Sequence, residues 1–115
     1  MSQLCIKMTP VFKRKAKSLL IEETLEELLD YLEGHPEMGT LIQGTGGVRK
    51  LRWKSGKDNK GKSGGIRVLY HYSKDILILL ITLYNKSEKE NITQAERNEL
   101  KRLMPELICK YREET

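Results

Sequence analysis

Gly65-Ile66-Arg67-Val68-Leu69-Tyr70-His71-Tyr72-Ser73-Lys74-Asp75-Ile76-Leu77-Ile78-Leu79-Leu80-Ile81-Thr82-Leu83-Tyr84 is the stretch whose reading decides the fold. From Ile66 to Tyr72 it is rich in branched and aromatic residues, the composition of a strand. Ser73-Lys74-Asp75 is short and polar, which suits a tight turn. From Ile76 to Tyr84 almost every position is apolar, so this strand buries both faces and belongs inside a sheet. Just upstream, Val48 to Lys54 reads as a third strand, joined to the first by the polar, glycine-rich loop from Ser55 to Gly65. The three together predict an antiparallel meander.

Working outward, residues 4–8 read as a short first strand. Thr9-Pro10 then offers a capping hydroxyl and a proline at the first helical position. A basic helix follows from Pro10 to Leu19. A second helix places Leu25, Leu28, Leu29 and Leu32 on one face at i, i+3, i+4 and i+7, with an acidic opposite face. Gly34-His35-Pro36 stops it. Residues 40–47 read as a flexible approach to the meander. On the far side, Thr93-Gln94-Ala95-Glu96 is a capping box that opens a last helix. Leu100, Leu103, Met104, Leu107 and Ile108 keep helical spacing, and Pro105 is expected to kink or divide that helix. The fold class expected is α+β over residues 1–115 as one domain: an N-terminal strand and helical hairpin on an antiparallel sheet, with a C-terminal helix.

A chain of 115 residues, 38% hydrophobic and 32% charged, suits a folded and very polar-surfaced domain. No apolar run is long enough to cross a bilayer, and the N-terminus lacks the layout of a signal peptide, so a cytoplasmic protein is expected. Cys5 and Cys109 are read as free thiols of a reducing compartment. Neither they nor His35 and His71 form a metal-ligand pattern, so no cofactor is expected.

The net charge of +5 is unevenly distributed. Arg49, Lys50, Arg52, Lys54, Lys57, Lys60, Lys62 and Arg67 are opposed only by Asp58, whereas Glu22 to Glu33 holds six carboxylates and no cation. The basic segment points to a polyanion; charge alone equally fits two solvated faces. Gly56-Lys57-Asp58-Asn59-Lys60-Gly61-Lys62-Ser63 spells a phosphate-loop pattern, but that loop works by opening a helix, and here a strand follows. Gly44-Thr45-Gly46-Gly47 likewise lacks the spacing and the helix of a dinucleotide site.

Strand alternation puts Lys50, Arg52 and Lys54 on one face and Arg49, Leu51 and Trp53 on the other. Thr82, Tyr84 and Lys86 share a face at the end of the apolar strand, and Arg67 leads its neighbour directly after two glycines. If the register allows, Lys50, Arg52, Arg67, Tyr84 and Lys86 converge. That set suits RNA cleavage without metal, in which a ribose 2′-hydroxyl attacks the adjacent phosphate. Arginines stabilise the charge growing on the phosphoryl oxygens. A lysine crowded by cations gives up its proton more readily and can serve as general base, while another cation or Tyr84 assists the leaving 5′-oxygen. Arg49, Lys54, Lys57, Lys60 and Lys62 are read as backbone-binding cations. The plainer reading is that all of them merely hold phosphates.

Val48-Arg49-Lys50-Leu51-Arg52-Trp53, Gly65-Ile66-Arg67-Val68-Leu69-Tyr70 and Leu80-Ile81-Thr82-Leu83-Tyr84-Asn85-Lys86-Ser87-Glu88-Lys89 together resemble the core of the RelE/HigB family of toxins, over about residues 38–105. Ile42-Gln43-Gly44-Thr45-Gly46-Gly47 is similar to its HigB-like, phage-derived branch. The resemblance implies the toxin of a type II toxin–antitoxin pair, a ribosome-dependent messenger-RNA endoribonuclease silenced by an antitoxin encoded beside it. By motif position, Lys50 and Arg52 match the family's basic strand pair, Arg67 its arginine after the glycine turn, and Lys86 its basic residue past the apolar strand. Many members carry a tyrosine a few residues further on, where this chain has Ile92. Two alternatives stand beside this reading: a gyrase poison of the ParE kind on the same fold, and a non-catalytic RNA-binding module.

Overall fold

The computed structural model describes residues 4–57, 65–74, 76–89 and 91–114. Along the chain run β1 (Cys5–Met8), α1 (Pro10–Leu19), α2 (Glu22–Gly34), β2 (Thr40–Leu41), β3 (Val48–Trp53), β4 (Ile66–Ser73), β5 (Leu77–Asn85) and α3 (Gln94–Glu113). The five strands form one sheet in the order β1-β5-β4-β3-β2. β1 lies parallel to β5, and the other neighbours are antiparallel. The α+β class and the meander expected from the sequence are both present.

Two expectations need correcting. The approach from 40 to 47 is a built turn rather than a flexible one. Thr40 and Leu41 pair with Lys50 and Arg49, and the Ile42 N–H donates to the Val48 carbonyl at 2.9 Å. Inside the turn, Thr45 Oγ1 donates to Ile42 O at 2.7 Å and accepts from the Val48 N–H at 3.1 Å. The sharp reversal runs through Gly44, Gly46 and Gly47 at φ of 78°, 78° and 100°, a region that side-chain-bearing residues avoid. The last helix, for its part, is not divided at Pro105. One lost backbone bond is offset by buried Met104 before it and buried Tyr111 after it, which hold both halves on the sheet.

The sheet has an apolar layer on each side. On one face Phe12, Ala16, Leu28 and Leu32 of α1 and α2 pack on Val68, Tyr70, Ile78, Leu80 and Leu83. On the other, Met104 and Tyr111 of α3 pack on Val48, Leu69, Leu77 and Leu79. β5 serves both layers and lies between two strands, as its unbroken apolarity requires.

Polar side chains fix how the helices meet the sheet. Thr9 caps α1 by accepting the Phe12 N–H at 3.0 Å, and its own hydroxyl donates to Ile81 O at 2.7 Å. α2 lacks a side-chain cap; instead Thr24 Oγ1 donates to Ser55 O at 2.7 Å, and Trp53 Nε1 donates to Thr24 O at 2.9 Å. Tyr70, fully buried, donates to Pro36 O and accepts the Gly39 N–H, both at 2.8 Å. A Cβ at Gly39 would stand 2.8 Å from that ring, so glycine is needed there.

Candidate active site

Register decides which basic residues meet. Arg52 pairs with Arg67 across β3 and β4, and Arg67 pairs with Tyr84 across β4 and β5. Directly paired residues share a face of the sheet at a Cβ spacing of about 4.5–5.5 Å, so Arg52, Arg67 and Tyr84 form a continuous row. Lys50, Leu69 and Thr82 form the next row on the same face. This is the α3 face, near the end of the sheet where β3 and β5 finish and β4 begins.

A bulge makes the arrangement possible. Leu69 pairs with Thr82 but Tyr70 pairs with Leu80, so Ile81 is the extra residue. Before it, Leu77 and Leu79 face α3; beyond it, strict alternation would have turned Thr82 and Tyr84 to the other side. The added residue resets the alternation and keeps Tyr84 on the α3 face with Arg67.

The members differ in accessibility. Arg52 is exposed and Lys50 half-buried, whereas Arg67 and Tyr84 are only 4% and 3% exposed. Lys86 follows β5 with an exposed side chain, and its backbone N–H donates to Gly65 O at 2.9 Å, which ties it to the start of β4. Lys50, Arg52, Arg67 and Tyr84 therefore share one face near one end of the sheet, and Lys86 follows β5 at that end. Arg52 and Lys86 stand in solvent, while Arg67 and Tyr84 form the buried base between them.

The backbone-binding set is more scattered. Arg49 faces the opposite side and donates to Glu37 O and Gly39 O at 3.0 and 2.7 Å, clamping the segment before β2. Lys54 pairs with Glu27 of α2 at 3.3 Å. Lys57 donates to Ser18 O at the end of α1. Lys60 and Lys62 lie outside the described residues. Residues 58–63 of the phosphate-loop spelling lie outside the described residues, and β4 begins at Ile66.

Sequence reading missed the connection from β5 to α3. Lys50 Nζ donates to Asn91 Oδ1 at 2.9 Å. Lys89 Nζ stands 5.1 Å from the Tyr84 ring centroid, a cation–π contact, and is paired with Glu96. Glu96 also completes the capping box of α3, accepting the Thr93 N–H at 2.8 Å. The Lys89 hydrogen bond first, and the Thr93 amide next, hold the Glu96 carboxyl below its ordinary range. Ile92, 7% exposed, packs in the same apolar layer as Tyr84. Of these, the sequence had marked only the capping box and the Ile92 position.

Chemically, the row groups cationic side chains of a kind that can bind an anion. Arg52 and Arg67 are direct neighbours in the register, and guanidiniums on one row can bind an anion together. Lys50 and Lys86 supply ammonium groups, which donate hydrogen bonds to anionic oxygens. Among the described residues, no group of three or more His, Cys, Asp and Glu side chains could hold a metal ion, and no helix is long and apolar enough to cross a membrane.

The fold is an α+β sheet of a small basic protein, with a row holding Arg52, Arg67 and Tyr84 on the face that carries α3. The family model described as the RelE toxin of the RelE/RelB toxin–antitoxin system matches residues 6–114. The chain belongs to the RelE toxin family, and as a member of a toxin–antitoxin system it has an antitoxin as partner.

Proposed function

We infer that this toxin is an endoribonuclease that cuts messenger RNA on the ribosome, with Lys50, Arg52, Arg67, Lys86 and Tyr84 as its working set. The observation that carries the reading is the Arg52–Arg67 pair, seated on one row with Tyr84. In the proposed reaction the 2′-oxygen attacks the adjacent phosphorus, a 2′,3′-cyclic phosphate forms, and the bond to the 5′-oxygen breaks. Arg52, being exposed, holds a non-bridging oxygen, and buried Arg67 adds positive potential from beneath, where water screens it least. A lysine of the set, Lys50 or Lys86, acting as its neutral amine, takes the 2′-hydroxyl proton and becomes ammonium, while a second, protonated group gives a proton to the departing 5′-oxygen. None of these steps calls on a cofactor. The expected setting is the cytoplasm, where the messenger and the ribosome are found.

The test is cell-free translation of a defined message with primer-extension mapping, with a gyrase supercoiling assay alongside. Discrete cuts that require active translation, with supercoiling untouched, support the reading. Intact message with blocked supercoiling would move gyrase poisoning ahead of it.

A further inference from the structure

Beside the row lies a small pocket of about 210 Å³, enclosed by β4, β5, the start of α3 and one residue of α1. It is smaller than the roughly 300–1,000 Å³ of sites that take drug-sized ligands, leaving room for one planar ring system. Leu69, Ile92 and Leu100 give it apolar walls, and Tyr84 lines it as well. Lys15 and Lys89 contribute cations, and Glu96 and Glu99 contribute carboxylates. Tyr84 belongs to both the pocket and the row, so the pocket adjoins the row two strands from Arg52.

We propose that this pocket receives one unstacked nucleobase of the bound RNA and prefers guanine; the proposal rests on the nuclease reading above. Single-stranded RNA is read by splaying a base into an apolar and aromatic slot and by hydrogen bonds to its polar edge. Two carboxylates on the wall select an edge made of donors. Glu96 is already engaged by Thr93 and Lys89. Glu99 has one oxygen bonded to Arg102 at 2.8 Å, and a carboxylate accepts about four hydrogen bonds. Guanine offers the adjacent donors N1–H and N2–H₂. Uracil offers one N–H flanked by two carbonyl oxygens, which a carboxylate repels. Lys15 and Lys89 are placed to receive the phosphate that accompanies the base, which a purely acidic pocket would reject.

The experiment is an amide-resolved NMR titration of the full chain with GMP, IMP and UMP, repeated on Glu99→Gln. The expected result is that GMP shifts the amides of Thr82, Ile92 and Leu100, binding about tenfold more tightly than IMP or UMP, the factor expected for one hydrogen bond to a charged acceptor. Glu99→Gln abolishes the preference for GMP. Equal binding of the three nucleotides, or shifts confined to the Arg52–Lys86 end, overturns the proposal in favour of phosphate contact alone. The two readings fail separately. Guanine-selective binding here without message cleavage removes the nuclease, and cleavage without base preference removes the pocket.

Discussion

Arg52 and Arg67 face each other across β3 and β4 with no residue between them in the register. Like charges directly opposite in an antiparallel pair weaken a sheet unless other groups compensate them, and an anion bound on this row would meet both. Arg52→Thr should leave the urea midpoint unchanged or raise it slightly, because Arg52 is exposed and threonine suits a strand. The same change should lower cleavage about 100-fold or more, as expected for loss of one oxyanion contact. Loss of both stability and activity would mean that Arg52 serves the fold rather than the ligand.

Glu96 joins two functions in one carboxylate, capping α3 and holding Lys89 beside Tyr84. Glu96→Ala should cost about 1 kcal/mol of stability in chemical denaturation, the usual price of a lost cap. Glu96→Gln retains the bond to the Thr93 N–H but weakens the hold on Lys89, so it should recover most of the stability. A Gln variant as unstable as the Ala variant would place the stabilisation in the Lys89 pair instead.

His71 lies half-buried, with Nδ1 3.0 Å from Gly47 O and Nε2 3.0 Å from Ser73 Oγ. Desolvation by burial chiefly, with a smaller push from Arg49, holds its pKa below the ordinary 6.5, against the contrary pull of the Gly47 carbonyl. The folded protein thus favours the neutral ring. Its contribution to stability is full above 6.5 and is lost as pH falls through that value toward the lower folded pKa. Denaturation at pH 7.5 and pH 5.5 should show the loss, and His71→Gln should flatten the slope in that window. The Glu96 carboxyl, also depressed, acts lower down, its contribution fading below its ordinary 4.5.

Tyr70 organises the segment before β2 through its hydroxyl, which burial pushes above its ordinary pKa. Tyr70→Phe leaves Pro36 O and the Gly39 N–H without that partner and should cost about 1–3 kcal/mol. Amide exchange should accelerate at 38–42 while the α3 face stays protected. Uniform acceleration over the whole sheet would contradict this local role.

The fold was largely readable because the strands advertise themselves. β5 is apolar on both faces and α2 carries a clean leucine stripe, and both signals survive whatever the neighbours do. The alternation of β3 correctly separated Lys50 and Arg52 from Arg49. The bulge at Ile81 was not readable, since Ile76 to Ile81 offers no break in pattern to mark an extra residue. β2 was hidden because two residues carry no period, and its pairing depends on the Thr45 turn. The basic residues of the loop after β3 looked like one RNA track by composition, yet Lys54 and Lys57 are bonded to the helical layer. Charge counting sees the number of cations but not their partners. Lys89, Asn91 and Glu96 escaped because they reach the site from a connection whose path only tertiary packing sets.

The most direct test of the central claim is primer-extension mapping of a translated message with wild type and with Arg52→Gln/Lys86→Gln. Both residues are exposed, so the double variant should keep the wild-type denaturation midpoint or exceed it. Discrete cuts are expected from the wild type, and at least a 100-fold loss of cleavage from the folded variant. Undiminished cleavage by that variant would contradict the assignment of the chemistry to this end of the sheet.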